Sequence, residues 1–449
     1  MKIKLPFLLL LFALGLNAQT NPAILSWLQN TTTTGTFYQS GNSTPISNGI
    51  LVNCQQVRYN TTDVYVNATG IPAYTTGIFT GDGNPNVAGD QNAIYRIPLN
   101  PVQNTGTLTA TTAGNIGIFI NGVSLFDYRD GVAWNNSTSA LCGGPGNPTC
   151  PGGPAAIQAW NRDAVPAEKL GFDCAKGHPA GTNYHHHQNP SAFKYDSTTT
   201  NSYSSICNLY DSEGLYTINP SQHSPLIGYA YDGFPIYGAY AYTNVNGTGA
   251  IARMKSSYQL STNTTRTNGP AVNSTYFNGY FREDYVFVSH PSDPTYLDEH
   301  NGRFCVTPEY PAGIYCYFAT VNADNSSAYP YVVGPTFYGV KTGTKVTTVP
   351  ANVTTYVLSS DTFSLESSNI TVFPNPAQNF ITVQTDFAET DYKVELVNEL
   401  GQVIKSSKIL QGTTMCTFEL DTIYNGVYFV KVTLGEDVKT HKIIINKWY

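Results

Sequence analysis

The sequence has few charged residues and little that suits it to nucleic acid or to membranes. Only 12% of residues are charged, and the formal net charge is -7. No run of five or more basic residues occurs, so the basic face that nucleic-acid binding usually needs is missing. Beyond the N-terminus, no segment approaches the twenty or so apolar residues that a membrane-spanning helix requires. We therefore expect no nucleic-acid partner and no transmembrane segment in the mature chain.

Long helical patterns are also scarce. The chain contains 39 Gly and 32 Tyr with abundant Thr and Asn, a composition that favours short strands and turns. The one helix candidate is 155–170, and Pro166 inside it is expected to break it. From about residue 50 to 345, short apolar runs alternate with turn residues, which predicts a mainly β domain. In such a loop-rich scaffold we expect the loops to carry the function.

The first residues have the pattern of a secretory signal. Met1 to Lys4 is basic, residues 5–16 are apolar, and Ala18 is the small residue before a polar stretch. A buried N-terminal helix would instead need polar positions at helical spacing, and the run has none. We predict a signal peptide over 1–18, cleaved after Ala18, and passage through the periplasm.

Eight cysteines in an exported chain predict disulfides, because an oxidising compartment permits them. The candidate pairs are Cys142–Cys150, Cys305–Cys316 and Cys174–Cys207. The first pair brackets a Gly- and Pro-rich turn, the second flanks a predicted hairpin connection, and the third spans the histidine region. Cys54 and Cys416 lie in different predicted domains, so one or both are expected to be free. The connectivity cannot be deduced from sequence, and these pairs stay candidates.

Seven of the eight histidines lie between residues 178 and 300. In the densest stretch, an extended backbone places His185 and His187 on one face and Tyr184 and His186 on the other. Two imidazoles at this spacing can bind one metal ion, and His178, before a Pro-Ala-Gly turn, can fold back as a third ligand. Such a set suits zinc or copper better than calcium or magnesium. With an open position it permits catalysis as well as binding, and Tyr184 is expected to support it from behind.

Other residues are weaker site candidates. His223 and His300 are candidate further ligands, although His223 and His290 stand close before prolines, which suits structural turns. Asp232 either caps an Asp-Gly-Phe-Pro turn or holds an imidazole in one tautomer. Asp298 is either a ligand or general base, or part of a surface loop.

The composition changes near residue 345. We predict a polar N-terminal segment over 19–50, a large loop-rich β domain over 51–345 and a linker or connecting strand over 346–369. The remaining residues, 370–449, show short alternating strands typical of a small immunoglobulin-like antiparallel β-sandwich. The expected fold class is therefore mainly β, with a large domain followed by a small sandwich.

The C-terminal segment resembles the type A sorting domain of type IX secretion cargo. The residues that carry the resemblance are Val372-Phe373-Pro374-Asn375-Pro376, Leu400-Gly401-Gln402-Val403, Gly426-Val427-Tyr428-Phe429-Val430 and Lys442-Ile443-Ile444-Ile445-Asn446-Lys447. The chain departs from the pattern by ending in Trp448-Tyr449 after the usual terminal Lys. The resemblance implies recognition by the outer-membrane type IX translocon, followed by release or surface attachment. The alternative is an ordinary immunoglobulin-like adhesion module, which the predicted signal peptide disfavours.

The histidine region resembles the YHYH family of exported proteins, named for a Tyr-His-Tyr-His motif. The local match is Gly177-His178-Pro179 with Tyr184-His185-His186-His187, where His186 replaces the second Tyr. Further matching stretches are Asn121-Gly122-Val123, His223-Ser224-Pro225-Leu226-Ile227-Gly228, Tyr231-Asp232-Gly233-Phe234-Pro235-Ile236-Tyr237-Gly238 and Leu297-Asp298-Glu299-His300-Asn301-Gly302-Arg303. The resemblance spans roughly 54 to 340 and implies no activity, since the family has none established.

Three functions follow as hypotheses. The leading one is a secreted or surface protein whose His178, His185 and His187 bind copper or zinc for storage, scavenging or catalysis. The second is a metal-independent hydrolase with a histidine paired to Asp232 or Asp298, although no Gly-x-Ser-x-Gly elbow supports it. The third is an adhesin or carbohydrate-binding surface protein, suggested by the aromatic and Thr/Asn-rich composition.

Overall fold

The computed structural model describes most of the chain as two compact units. The described residues are 21–42, 44–79, 86–153, 157–191, 214–357, 370–385, 391–399, 401–434 and 437–447. Among them, one unit ends at residue 357 and the other begins at 370. The predicted signal peptide lies outside the described residues. None of the helices in the described ranges is both long and apolar enough to cross a membrane.

Short strands dominate the first unit. Its strands are β1 Thr34–Phe37, β2 Ile46–Leu51, β3 Cys54–Tyr59, β4 Asp63–Ala68, β5 Ala93–Pro98, β6 Asn115–Phe119, β7 Ser124–Phe126, β8 Arg129–Asn135, β9 Ala140–Cys142, β10 Asn161–Asp163, β11 Gly177–Ala180, β12 Asn183–His186, β13 Leu226–Ala230, β14 Pro235–Tyr237, β15 Tyr240–Tyr242, β16 Ile251–Arg253, β17 Tyr258–Leu260, β18 Tyr285–Phe287, β19 Gly302–Cys305, β20 Ile314–Phe318, β21 Thr344–Val346 and β22 Thr354–Tyr356. The helices are α1 Pro22–Leu25 and α2 Ala164–Glu168, with 3-10 turns at Lys169–Gly171 and Arg282–Asp284. The predicted mainly β fold class is confirmed.

Two sheets organise this unit. The larger has the strand order β11-β12-β7-β6-β13-β14-β20-β19, with parallel pairs at β12–β7 and β14–β20. The smaller is antiparallel, in the order β21-β5-β4-β3-β22. One apolar cluster takes Val66 and Ile97 from the smaller sheet and Ile118 and Tyr229 from the larger. The two sheets therefore share a core, and the histidine-bearing strands β11 and β12 form one edge of the larger sheet.

The ends of the large domain extend beyond the predicted boundaries. Trp27 is buried in the core, and its indole nitrogen donates to the Ala23 carbonyl at 2.7 Å. Part of the predicted N-terminal polar segment thus packs within the first unit. Strand β22 pairs with β3, so the segment predicted as a linker or connecting strand contains an edge strand.

The predicted helix over 155–170 is wrong in its start and its length. Residues 161–163 form β10, which pairs with β8, and α2 begins only at Ala164. Asp163 caps it by accepting from the Val165 backbone N–H at 3.0 Å. Pro166 lies in the first turn, where its missing N–H leaves no helical hydrogen bond unmade. The helix ends at Glu168, directly beside the histidine-bearing strands.

The second unit is a small β-sandwich. Its strands are β23 Thr371–Phe373, β24 Phe380–Gln384, β25 Tyr392–Asn398, β26 Val403–Ile409, β27 Met415–Glu419, β28 Gly426–Leu434 and β29 Asp437–Ile445. They form two antiparallel sheets, β23-β24-β27 and β26-β25-β28-β29, around a common apolar core. Asn375 of the predicted sorting motif accepts from the Ile444 N–H at 2.9 Å and donates to the Lys442 carbonyl at 3.1 Å. The backbone N–H of Lys447 donates to Asn425 at 2.8 Å. Hydrogen bonds of these motif residues thus hold strand β29 and the residues after it against the rest of the sandwich.

The first predicted disulfide is confirmed, since Cys142 and Cys150 are bonded. Cys174 is also disulfide-bonded, and its predicted partner Cys207 lies outside the described residues.

The predicted Cys305–Cys316 disulfide is not formed. Both residues are buried free thiols on the β19–β20 hairpin. In the strand register Cys305 lies opposite Ile314, and Cys316 lies opposite Arg303, so the two cysteines are offset rather than paired. Cys54 and Cys416 are both free as well, which is one of the two outcomes that the sequence predicted.

Replacing both Cys142 and Cys150 by Ser should lower the free energy of unfolding of the first unit by about 2–3 kcal/mol, because a short cross-linked loop restricts the unfolded chain modestly. Urea denaturation followed by tryptophan fluorescence measures this. The Cys416→Ser variant, which changes a free thiol in the other unit, is the matched control. Equal unfolding midpoints for wild type and the double variant would contradict the expectation.

Candidate metal centre

The β11–β12 hairpin places two histidines directly opposite each other. The antiparallel register pairs His178 with His185, and Gly181, at a positive φ of 60°, lies in the tight turn between the strands. Opposite residues of an antiparallel pair project to the same face. His187 lies just past the end of β12, and its ring meets the other two on that face. The hairpin and the residue just past its end thus gather three imidazoles.

The three rings converge on one point. One nitrogen from each of His178, His185 and His187 lies within 4.8 Å of the other two. The Nε2 atoms of His185 and His187 are 3.0 Å apart. All three side chains are buried, with residue exposures of 5%, 1% and 3%. This group can hold a metal ion.

Hydrogen bonding fixes the tautomers of two rings. His185 Nδ1 lies 2.9 Å from the Asn183 carbonyl oxygen, and His187 Nδ1 lies 2.7 Å from the Asp127 carbonyl oxygen. A carbonyl oxygen only accepts, so each Nδ1 donates a proton and each Nε2 of a neutral ring carries a bare lone pair. Two such lone pairs facing each other at 3.0 Å repel unless a proton or a cation lies between them. A metal-bound histidine has this same arrangement, with its second nitrogen donating to a carbonyl.

Glu168 adds a carboxylate to the cluster. Its Oε2 lies 3.2 Å from His178 Nε2 and 3.3 Å from His187 Nε2. Burial alone would raise the pKa of Glu168, but the adjacent rings of His178 and His187 lower it well below its usual value. Burial likewise opposes protonation of His187, yet Glu168 raises the pKa of His187 above its ordinary value. The site therefore combines a carboxylate anion with imidazoles.

The pKa of His185 is shifted in the opposite direction. Burial, followed by the neighbouring rings of His178 and His187, lowers this pKa well below the ordinary value. His185 is therefore a neutral ring with a free Nε2 lone pair at neutral pH, which is the form that binds metals.

Aromatic rings hold the ligands in place. Phe126 stacks on His185 with ring centroids 3.9 Å apart, and Phe172 packs its edge against His178 at 4.9 Å. These contacts restrict ring rotation, so little reorganisation is needed before an ion binds.

The opposite face of the hairpin is structural, as the alternation predicted. His186 points away from the cluster and bonds through Nε2 to the Tyr74 hydroxyl at 2.7 Å. The Tyr184 hydroxyl donates to Asp173 at 2.9 Å, and Asp173 also accepts from the Gly177 backbone N–H at 3.1 Å. Burial lowers the pKa of His186 to about 3, so this ring is a neutral packing element. These contacts fix the hairpin from behind.

The cluster opens into a cleft of about 700 Å³. Arg129, Asp130 and Arg162 line the cleft together with the histidines. Arg129 pairs with Asp127 at 2.7 Å, and Arg162 pairs with Asp130. An ion at the cluster is thus reachable from solvent.

The structure does not bring His223 or His300 to this cluster. His300 stands just before β19, at the opposite edge of the eight-stranded sheet from β11, and its Nδ1 donates to the Thr336 carbonyl at 3.0 Å. His223 stands before β13 in the middle of the sheet, and its Nδ1 donates to the Ser224 carbonyl at 2.7 Å. Their inclusion as ligands was wrong because strand order, which sequence spacing does not reveal, separates them from β11 and β12.

Asp232 and Asp298 accept hydrogen bonds from tyrosine hydroxyls and from backbone N–H groups. Asp232 accepts from the Tyr317 hydroxyl at 2.6 Å and from the Gly339 N–H at 2.8 Å. Asp298 accepts from the Tyr315 hydroxyl at 2.8 Å and from backbone N–H groups of its own turn. Neither carboxylate bonds to an imidazole ring, so the histidine–aspartate pair that the hydrolase alternative requires is not formed by them.

Sequence reasoning missed Glu168. Only three acidic residues lie between Cys150 and His178, namely Asp163, Glu168 and Asp173. All three serve the site: Asp163 caps α2, Glu168 meets the rings and Asp173 braces the hairpin. The chain has few charged residues, so three carboxylates just before the histidine hairpin were the sequence signal that could have pointed to Glu168.

Comparison with known proteins gives two matches. The model described as YHYH protein matches residues 94–329, more than half of the chain, and includes the histidine hairpin. The model described as secretion system C-terminal sorting domain matches residues 371–446, the sandwich of the second unit. A search of curated proteins finds no significant relative.

The second match indicates where the protein is exported. A domain of this kind directs export by the type IX secretion system to the cell surface or the extracellular space. The first match covers the domain that carries the candidate metal centre. The chain therefore belongs to the YHYH family and ends in a type IX secretion sorting domain.

Proposed function

We propose that this exported protein binds one copper or zinc ion through His178, His185 and His187. The observation that carries the proposal is the 3.0 Å approach of the His185 and His187 Nε2 atoms, whose Nδ1 protons are both committed to carbonyl oxygens. Neutral imidazoles with converging lone pairs are ligands for transition metals of intermediate softness. Calcium and magnesium prefer oxygen ligands and fit this set poorly.

The surroundings support capture of an ion from outside the cell. The cleft of about 700 Å³ gives solvent access to the cluster, and Phe126 and Phe172 hold two ligand rings in position. A preorganised, accessible site exchanges its ion with the surroundings without unfolding of the domain. This suits scavenging or storage at the cell surface.

The route to that location has two steps in this proposal. The predicted signal peptide over 1–18 carries the chain into the periplasm, and the C-terminal sorting domain then passes it to the type IX translocon. The Cys142–Cys150 disulfide fits this route, because it requires an oxidising compartment.

Full-length mature protein purified without a His tag should bind one zinc or copper ion per chain, measured by elemental analysis after dialysis. The His185→Ala/His187→Ala variant should bind none at this site, because two of the three converging nitrogens are removed. His290→Ala is the matched control, since its ring stacks on Tyr296 instead, with centroids 3.8 Å apart. Equal metal content in the wild type and the double variant would refute the proposed site.

Metal should also stabilise the folded protein, because an ion bound only by the folded state shifts the unfolding equilibrium. We expect zinc at about a hundredfold excess over its Kd to add about 2.7 kcal/mol to the free energy of unfolding of the first unit. The double variant should show no such gain in a chemical denaturation series. A comparable gain in the variant would place the stabilising ion elsewhere.

Deleting residues 371–449 in a producing bacterium with a type IX system should leave the first unit in the periplasm, because the sorting domain is lost and the signal peptide is kept. Fractionation and immunoblotting measure this. Removal of residues 5–16 instead should keep the chain in the cytoplasm. Appearance of either truncated chain at the cell surface would contradict the two-step route.

A further inference from the structure

Glu168 occupies the position expected of a further metal ligand. Its Oε2 is 3.2 Å and 3.3 Å from two ring nitrogens, close to the 3.0 Å that separates the Nε2 atoms of His185 and His187. Ligand atoms at the corners of a tetrahedron, each 2.0–2.1 Å from a zinc ion, lie about 3.3–3.4 Å apart. The two contacts of Glu168 match such edges, the His185–His187 separation is shorter, and the histidine nitrogens, which lie within 4.8 Å of one another, must draw together around an ion.

These short contacts are ion-pair contacts whose hydrogen-bond geometry is poor. Glu168 Oε2 and His178 Nε2 are both buried, and neither has a hydrogen-bond partner of acceptable geometry. Buried polar atoms without a partner carry a substantial desolvation cost. A cation between the carboxylate and the rings satisfies the orphaned atoms at once.

Charge balance points to the same residue. Three neutral imidazoles do not compensate the charge of a divalent ion. Two carboxylates beside the cleft already face arginines, since Asp127 pairs with Arg129 and Asp130 with Arg162. Glu168 faces histidines instead, so its negative charge is directed at the centre of the cluster.

The fold holds Glu168 in place from a separate element. Helix α2 begins at the cap made by Asp163, whose second oxygen accepts from the buried Tyr331 hydroxyl at 2.6 Å. The helix is therefore anchored to the core at its first turn. Its last residue, Glu168, reaches over the hairpin that carries His178 and His187.

We infer that Glu168 is the fourth protein ligand of the metal, that the site is a tetrahedral three-histidine, one-carboxylate centre, and that it selects zinc(II) over copper(I). This inference rests on the proposed metal-binding function. Carboxylate oxygen is a hard ligand that suits zinc(II), whereas copper(I) prefers soft ligands and needs no carboxylate. Four protein ligands leave no open position, which favours holding the ion over catalysing a reaction with it.

Competition of full-length protein with a chromophoric chelator measures the affinities for zinc(II) and, under anaerobic reducing conditions, for copper(I). Glu168→Gln, which keeps the shape of the side chain and removes its charge, should weaken zinc(II) binding at least about tenfold. The same variant should leave copper(I) binding within about twofold of wild type. Glu299→Gln, an exposed glutamate of the same unit, is the matched control and should change neither affinity.

Cobalt(II) provides a second readout that does not depend on affinity. Saturated wild-type protein should show the intense visible absorption of four-coordinate cobalt, and Glu168→Ala should lose intensity as water enters the coordination shell. Circular dichroism checks that the variants remain folded.

The outcomes separate the two proposals. If wild type binds no ion, or if His185→Ala/His187→Ala binds as well as wild type, the proposed function fails. If that pair is required but Glu168→Gln leaves zinc(II) affinity and Glu168→Ala leaves the cobalt spectrum unchanged, the proposed function stands and the role of Glu168 is refuted. An equal loss of zinc(II) and copper(I) affinity in Glu168→Gln would refute the selectivity.

Discussion

The candidate site depends on the register of a single hairpin. Because β11 and β12 pair with His178 opposite His185, two imidazoles share a face, and His187, just past the end of β12, adds a third. A slip of one residue would turn His185 and His187 to the packed side and bring Tyr184 and His186 to the cleft. The turn at Gly181 and the parallel pairing of β12 with β7 both fix this register.

The two faces of the β11–β12 hairpin have different roles. One face packs against the core, and the other presents the histidine rings to the cleft. On the packed face, Tyr184, Asp173 and the neutral ring of His186 hold the strands to the core. On the open face, the rings are oriented by carbonyl oxygens at Nδ1 and by aromatic contacts. The contacts on the packed face hold the strands so that the Nε2 atoms of His185 and His187 stay 3.0 Å apart, a contact that is unfavourable unless a proton or a cation lies between them.

Much of this could be predicted from the sequence because it depends on local pattern. The alternation of Tyr184 to His187 predicted which rings share a face, and turn residues predicted a mainly β fold with a terminal sandwich. What depends on strand order could not be predicted. His300 lies seven strands away from β11, Cys305 is offset from Cys316 by the hairpin register, and Glu168 reaches the site from a helix whose start was misplaced. Spacing along the chain carries no information on which strands become neighbours.

The most direct test of the account is an anomalous difference map from crystals of the mature protein grown with zinc, recorded above and below the zinc absorption edge. The account predicts one strong peak in the first unit, at bonding distance of about 2.0–2.1 Å from a nitrogen of each of His178, His185 and His187. A map with no peak there, with the three rings engaged in hydrogen bonds among themselves or with water, would contradict it.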